Sequence, residues 1–207
     1  MSKINVTSPI GNLMYVMISG QGKENYEGTG YDYQACVDIP DGKEADAFID
    51  MIEDFVEVNE VKGAKRTGAF YRTNEDDKTI PEGFVRFTFK TRTEFTDKKG
   101  NVKDTEVDIL DAAGNKVKLP NGKLIGNGST GRVIGTCVIW ERGSSKNKEY
   151  GASLYLNKVQ IKDFIPYEGS TVDAIEGGSF KGFDNELEPD TAEAPAEDTS
   201  RRRSRRR

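Results

Sequence analysis

The sequence predicts a mainly β fold: a small closed barrel with one α-helix, followed by a disordered C-terminal tail. Three observations predict it. Val85, Phe87 and Phe89 alternate with Arg86, Thr88 and Lys90, the period-two pattern of a strand with one buried face. Only one stretch, Ala45 to Val56, repeats its apolar residues at helical spacing. Clusters of Gly, Asn, Asp and Pro punctuate the rest at hairpin-like intervals.

The first strand is the apolar run Leu13 to Ile18, ended by the turn-rich SGQGKENYEGTG. Tyr33 to Ile39 is the second, and Pro40-Asp41-Gly42 breaks it. Asp41 with Glu44 three residues later fits a capping box. A helix is expected to open there and run to about Glu60, burying Ala45, Phe48, Ile49, Ile52, Phe55 and Val56. Residues 61–83 are polar and irregular and read as a long loop. The alternating strand runs from Val85 to Phe95. Asp97-Lys98-Lys99-Gly100-Asn101 turns the chain into a strand from Val102 to Leu110, and Asp111-Ala112-Ala113-Gly114-Asn115 turns it again. Gly126-Asn127-Gly128-Ser129 precedes a long strand from Arg132 to Glu141. The loop Gly143 to Lys148 then leads to the last strand, Ala152 to Phe164. Five or more strands, one helix and long loops fit an OB-fold, a five-stranded Greek-key barrel. Residues 1–183 are expected to form this domain.

Residues 184–207 read as a disordered tail. Up to Ser200 the tail holds seven acids, no base and one large apolar residue, Leu187. Such a stretch buries too little surface to offset chain entropy. Six arginines follow, Arg201 to Arg203 and Arg205 to Arg207. Three roles fit that run: a solvated extension, a tethered phosphate clamp, or an internal partner for the acidic segment.

Composition excludes several functions. The 207 residues contain 35 acids against 30 Lys plus Arg, a net charge of −5. An evenly spread acidic surface would argue against nucleic acid, but the charge here is segregated. There is no histidine, which removes His-dependent hydrolases, His-ligated metals and His general bases. Cys36 and Cys137 each sit in an apolar run and are expected to be buried free thiols of a reducing compartment. No run of ~18 apolar residues exists, and the N-terminal MSKINVTSP has no apolar signal core. A cytoplasmic protein without catalytic activity, membrane contact or cofactor is expected. The glycine-rich Gly126 to Gly131 lacks the Lys-Ser/Thr ending of a phosphate loop and leads into a strand, so it reads as a turn or bulge. Acid pairs such as Asp76-Asp77 and Glu53-Asp54 have no calcium-loop spacing and read as solvated surface.

The candidate binding residues are bases and aromatics on strand faces. Lys90 and Arg92 share the polar face of the alternating strand with Arg86. Arg132 opens the next long strand and Trp140 lies near its end. Lys98, Lys99 and Lys103 decorate one hairpin, and Lys146 and Lys148 another. A single-strand groove needs cations along the phosphates and aromatic faces for unstacked bases. By pattern alone, a basic alternating face also describes a solvated sheet, and a lone tryptophan also describes core.

A resemblance adds to this. Thr7-Ser8-Pro9-Ile10-Gly11, Val37-Asp38-Ile39-Pro40, Phe87-Thr88-Phe89-Lys90 with Phe95, and Asp97-Lys98-Lys99 occur in order. Val107-Asp108-Ile109-Leu110-Asp111, Ile125-Gly126-Asn127-Gly128-Ser129 and Gly151-Ala152-Ser153 follow. In that order and spacing the sequence resembles the single-stranded DNA-binding proteins of short-tailed phages of the T7 type, over about residues 7–180. The resemblance implies an OB-fold with one helix, a homodimer, and a non-enzymatic protein that coats single strands, removes secondary structure and promotes annealing. It implies roles in DNA replication, recombination and repair, with phage DNA polymerase and helicase–primase as partners of the C-terminal tail. Lys90 matches the family's DNA-contacting lysine, Arg132 a basic position after the GNGS turn, Trp140 an aromatic position, and Lys3 a basic N-terminal contact. Arg92 stands where the family can carry an aromatic. With Arg86, Lys98, Lys99 and Tyr155 these complete the expected site, and Phe95 is a further stacking candidate. Two features depart from the family. Thr29-Gly30-Tyr31-Asp32 lacks an expected base, and the tail ends in RRRSRRR rather than an aromatic. The competing reading is a β-rich virion or tail component that binds protein.

Overall fold

A computed structural model describes residues 2–25, 28–119, 124–144 and 147–167. Lys146 and the expected tail from Asp184 onward lie outside the described residues. The elements in chain order are β1 (Lys3–Thr7), β2 (Gly11–Met17), β3 (Lys23–Glu24), β4 (Tyr31–Pro40), α1 (Lys43–Val58), β5 (Lys65–Arg66) and β6 (Tyr71–Thr73). They continue with β7 (Phe84–Arg92), β8 (Glu94–Thr96), β9 (Val102–Asp104), β10 (Asp108–Leu110), β11 (Ser129–Arg142) and β12 (Glu149–Asp163).

Five of these strands close a ring in the order β2-β4-β7-β12-β11 and back to β2. This is the barrel expected from the sequence. The neighbours are antiparallel except at β7 and β12, which meet in parallel through one register pair, Lys90 with Tyr155. Outside the ring, β1 extends β11 and β10 extends β12. The inward positions of the alternating strands fill the barrel: Leu13, Val37, Phe87, Phe89, Val133, Cys137 and Val159 are fully buried. Helix α1 adds Phe48, Ile52 and Val56 to the same core. Phe48 meets Phe87 edge-on, with centroids 4.9 Å apart and planes at 79°, the geometry aromatic quadrupoles favour. Removing the Phe87 ring would cost about 3–5 kcal/mol of stability.

The structure corrects four local expectations. Asp41 does not cap the helix. The cap position is Gly42, with no side-chain hydrogen bond and φ 145°, a conformation glycine reaches without steric penalty. Asp41 instead donates its N–H to the Gly83 carbonyl at 2.8 Å, which ties the end of β4 to the start of β7. Residues 61–83 are not structureless: β5 pairs with β12 and β6 with β7. The alternating strand ends at Arg92, and β8 leaves the barrel to form a separate hairpin with β9. The stretch Val102 to Leu110 therefore splits into β9 and β10, because its two ends pair with different strands.

Candidate nucleic-acid interface

The outer face of β4 and β7 carries a ladder of four opposed pairs: Asp38 with Arg86, Cys36 with Thr88, Gln34 with Lys90, and Asp32 with Arg92. Alternation alone puts these side chains outward while Val37, Phe87 and Phe89 point in. A groove runs along this ladder. Tyr15 and Met17 of β2 contribute to one wall, Ser153 and Tyr155 of β12 to the other, with Lys23, Arg72, Leu124 and Tyr167 along its margin. The central strands of an OB-fold are the face that receives oligonucleotides and oligosaccharides.

The four pairs differ in chemistry. Arg86 and Asp38 form a buried bidentate ion pair, with Nε donating to Oδ1 at 2.6 Å and Nη2 to Oδ2 at 2.7 Å. Arg86 is 4% exposed and Asp38 1%. Arg86 Nη1 also donates to the Thr79 hydroxyl at 2.9 Å, and Asp77 lies 3.6 Å away. Hydrogen bonding to Asp38 pushes the guanidinium pKa above its ordinary value. This corrects the expectation that Arg86 offers surface charge: its donors are consumed and its charge is cancelled by residues distant in sequence. Next along, the Cys36 thiol lies 3.4 Å from the Thr88 hydroxyl, and burial pushes its pKa up. Lys90 faces the neutral Gln34, and its side chain has no hydrogen bond or ion pair among the described residues. Arg92 lies 3.6 Å from Asp32.

Three tyrosines of the groove are accessible: Tyr15 is 44% exposed, Tyr155 46% and Tyr167 54%. Tyr155 stands beside Lys90 in register. Tyr15 owes its position to a break in the β2–β4 register between Met14 and Met17, with φ of 50°. That conformation is uncommon for a bulky side chain and costs of order 1–3 kcal/mol. It is held by the Tyr15 N–H, which donates to Asn127 Oδ1 at 2.7 Å. Beneath the ring, the Arg86 guanidinium carbon is 5.1 Å from the ring centroid.

The structure brings together Lys90, Arg92, Arg86 and Tyr155 of the expected residues and leaves the others outside the groove lining. Lys3 of β1 stands opposite Val138, which stands opposite Ser153. It is therefore two strands from the groove wall, about 10 Å at ordinary strand spacing. Trp140 faces Gly151, where a Cβ would lie 2.7 Å from the indole, and the Arg142 guanidinium covers the ring at 5.1 Å. Arg132 donates from Nε to Gln160 Oε1 at 2.7 Å, and Gln160 donates to the carbonyls of Asp111 and Ala112 at 3.0 and 3.1 Å. It thereby steadies the turn after β10. Lys98 and Lys99 are exposed on the β8–β9 turn, where Asp97 accepts the Lys99 N–H at 2.8 Å, and Phe95 on that hairpin is 50% exposed. Sequence reasoning missed Tyr15, Lys23, Arg72 and Tyr167. Lys23 stood in a segment read only as turn-rich, and a register break such as the one at Tyr15 leaves no compositional mark.

Among the described residues no group of three or more Cys, Asp and Glu is placed to hold a metal ion. No described helix is long and apolar enough to cross a membrane.

No protein-family model matches the chain, and no curated protein sequence matches it. Solved structures do. Gp2.5, a single-stranded DNA-binding protein encoded by bacteriophage T7, superimposes with a TM-score of 0.61 at 22% identity, covering 88% of this chain and 98% of its own. The single-stranded DNA-binding protein of bacteriophage Enc34, in complex with ssDNA, gives 0.54 at 17% identity, covering 79% of this chain and 89% of its own. A C-terminal truncation of the Enc34 protein gives 0.51 at 15% identity, over 79% and 88%. At these identities the likeness establishes the fold, and that fold is the OB-fold read from the sequence.

Proposed function

We propose that the protein binds single-stranded DNA through the β4–β7 groove, with little sequence preference and without catalysis. The observation that carries this reading is Lys90, a cation opposed by no acid, standing beside the accessible ring of Tyr155 in a groove on the central barrel strands. Phosphates pass along Lys90, Arg92, Lys23 and Arg72, while bases stack on Tyr155, Tyr15 and Tyr167. Every base has a π-face, so stacking tolerates sequence, at ~1–3 kcal/mol per base. Two proteins of this fold support the reading, since T7 gp2.5 is a single-stranded DNA-binding protein and the Enc34 protein was solved with ssDNA. The proposed role extends to coating and unfolding single strands, annealing, and service in phage-type replication, recombination and repair. In this role the protein acts as a homodimer whose tail engages polymerase and helicase–primase.

Fluorescence anisotropy with a labelled dT oligonucleotide and a matched duplex, each at two salt concentrations, tests the groove. Preference for the single strand, weakened by salt, is expected. Binding to neither substrate would leave the β-rich virion component as the better account. Renaturation of complementary strands and sedimentation of the full chain test annealing and dimerisation separately.

A further inference from the structure

Arg86 lines the groove yet offers no free donor to a phosphate, and its remaining contact is with an aromatic ring. Its planar fork is fixed edge-on: Nε and Nη2 are held by Asp38, and Nη1 by Thr79. With those donors taken, the guanidinium carbon lies over the Tyr15 ring, 5.1 Å from its centroid. Tyr15 is constrained from its other end by Asn127 and by its unusual backbone conformation. The ring is thus supported from within the barrel wall while remaining 44% exposed to the groove. Nearby, Asp38 and Asp77 cancel the arginine's charge, so Arg86 itself does not recruit phosphate as Lys90 does.

We infer that Arg86 is a positioning residue: pinned by Asp38, it forms the pedestal on which Tyr15 is held to stack one base, and it contacts no nucleotide itself. The inference rests on the reading that the groove binds single-stranded DNA. A cation beneath an aromatic face attracts the ring's quadrupole, most strongly when desolvated, and a pre-oriented ring avoids the ordering cost of binding. The groove then holds two different devices: a ring at Tyr15 steadied by a buried cation, and a cation at Lys90 opposed by no acid beside the ring of Tyr155.

The test is a set of coupled substitutions read by affinity for a labelled dT oligonucleotide. Asp38→Leu with Arg86→Met replaces the buried pair by apolar groups, a change that proteins often tolerate. Arg86→Lys keeps a cation for Asp38 but removes the planar face. Each is expected to lower affinity about 5-fold in the wild-type background. Each is expected to add nothing to Tyr15→Ala, yet to add its full effect to Lys90→Ala. A general loosening of the groove would instead add to both. Circular dichroism and melting curves select the variants that fold, and Arg86→Lys serves if the double substitution does not. Unchanged affinity in either folded variant, or losses additive with Tyr15→Ala, overturns the pedestal. Failure of the wild-type chain to bind the oligonucleotide overturns the groove reading itself, and the pedestal with it.

Discussion

Lys90 faces Gln34 across the β4–β7 pair, while the arginines at both ends of the same ladder face aspartates: Arg86 faces Asp38 and Arg92 faces Asp32. One cation out of three is therefore left with its field uncancelled, and it stands beside Tyr155. The ladder explains how a chain of net charge −5 can still leave a cation with no acid opposite it. Net charge governs long-range steering, whereas a contact depends on which carboxylates lie within a few ångströms.

Lys90→Ala combined with Tyr155→Ala should lower affinity for a dT oligonucleotide at least about 30-fold, if each loses ~1 kcal/mol or more. Both side chains are exposed, so the melting temperature should change little. Anisotropy titrations of the folded double variant check this. Retention of wild-type affinity would remove these residues from the site.

Apart from the neutralised Arg86, four cations line the groove among the described residues: Lys23, Arg72, Lys90 and Arg92. If all four meet phosphates, log Kobs should fall with log salt at a slope near −3, about −0.7 per phosphate on a single strand. Lys90→Gln should make the slope shallower by roughly 0.7. Titrations between low and moderate salt measure it.

Both thiols should resist alkylation in the native protein. Burial pushes Cys137 up to about 11, and Cys36 is also raised chiefly by burial. At pH 8 iodoacetamide should label neither in the native chain and both in denaturant, as mass spectrometry would show. Rapid native labelling of Cys36 would mean that the groove floor opens to solvent.

Stability should fall on acidification. Asp97, Asp111 and Asp77 are held below the ordinary aspartate range, first by the backbone N–H groups of Asn101, Asn115 and Thr79 respectively. Asp108 is held down by its hydrogen bond with Lys116. A carboxyl with a lowered folded-state pKa contributes stability above its unfolded value and loses it as pH falls through the folded one. The urea midpoint should therefore be level above about pH 5 and decline below about pH 4. A midpoint that rises on acidification would contradict these turn hydrogen bonds.

The barrel was legible in the sequence where structure is local. Alternation through Phe87 and Phe89 and the helical spacing of Phe48, Ile52 and Val56 mark inward faces directly. The candidate site was legible only in part. Lys90 could be named from a strand face and Tyr155 came only after the resemblance, but Arg86 carries the same sequence pattern as Lys90 and is buried, because Asp38, 48 residues away, meets it across the sheet. Trp140 reads as a stacking platform by type, yet Gly151 opposite leaves room for the indole to lie against the barrel. Tyr15 was invisible because a register break, not composition, turns it into the groove. Cross-strand partners and register breaks are set by pairing between distant segments, which periodicity does not encode.

The ring has one thin joint. Between β7 and β12 it is fastened by the single pair of Lys90 and Tyr155, whereas β11 and β12 are zipped along nearly their whole lengths. The proposed ligand lies across that joint and holds both of its members. A strand bound as proposed should therefore act as a clasp on the barrel wall, and amide exchange in β7 and β12 should be slower in the loaded protein than in the empty one.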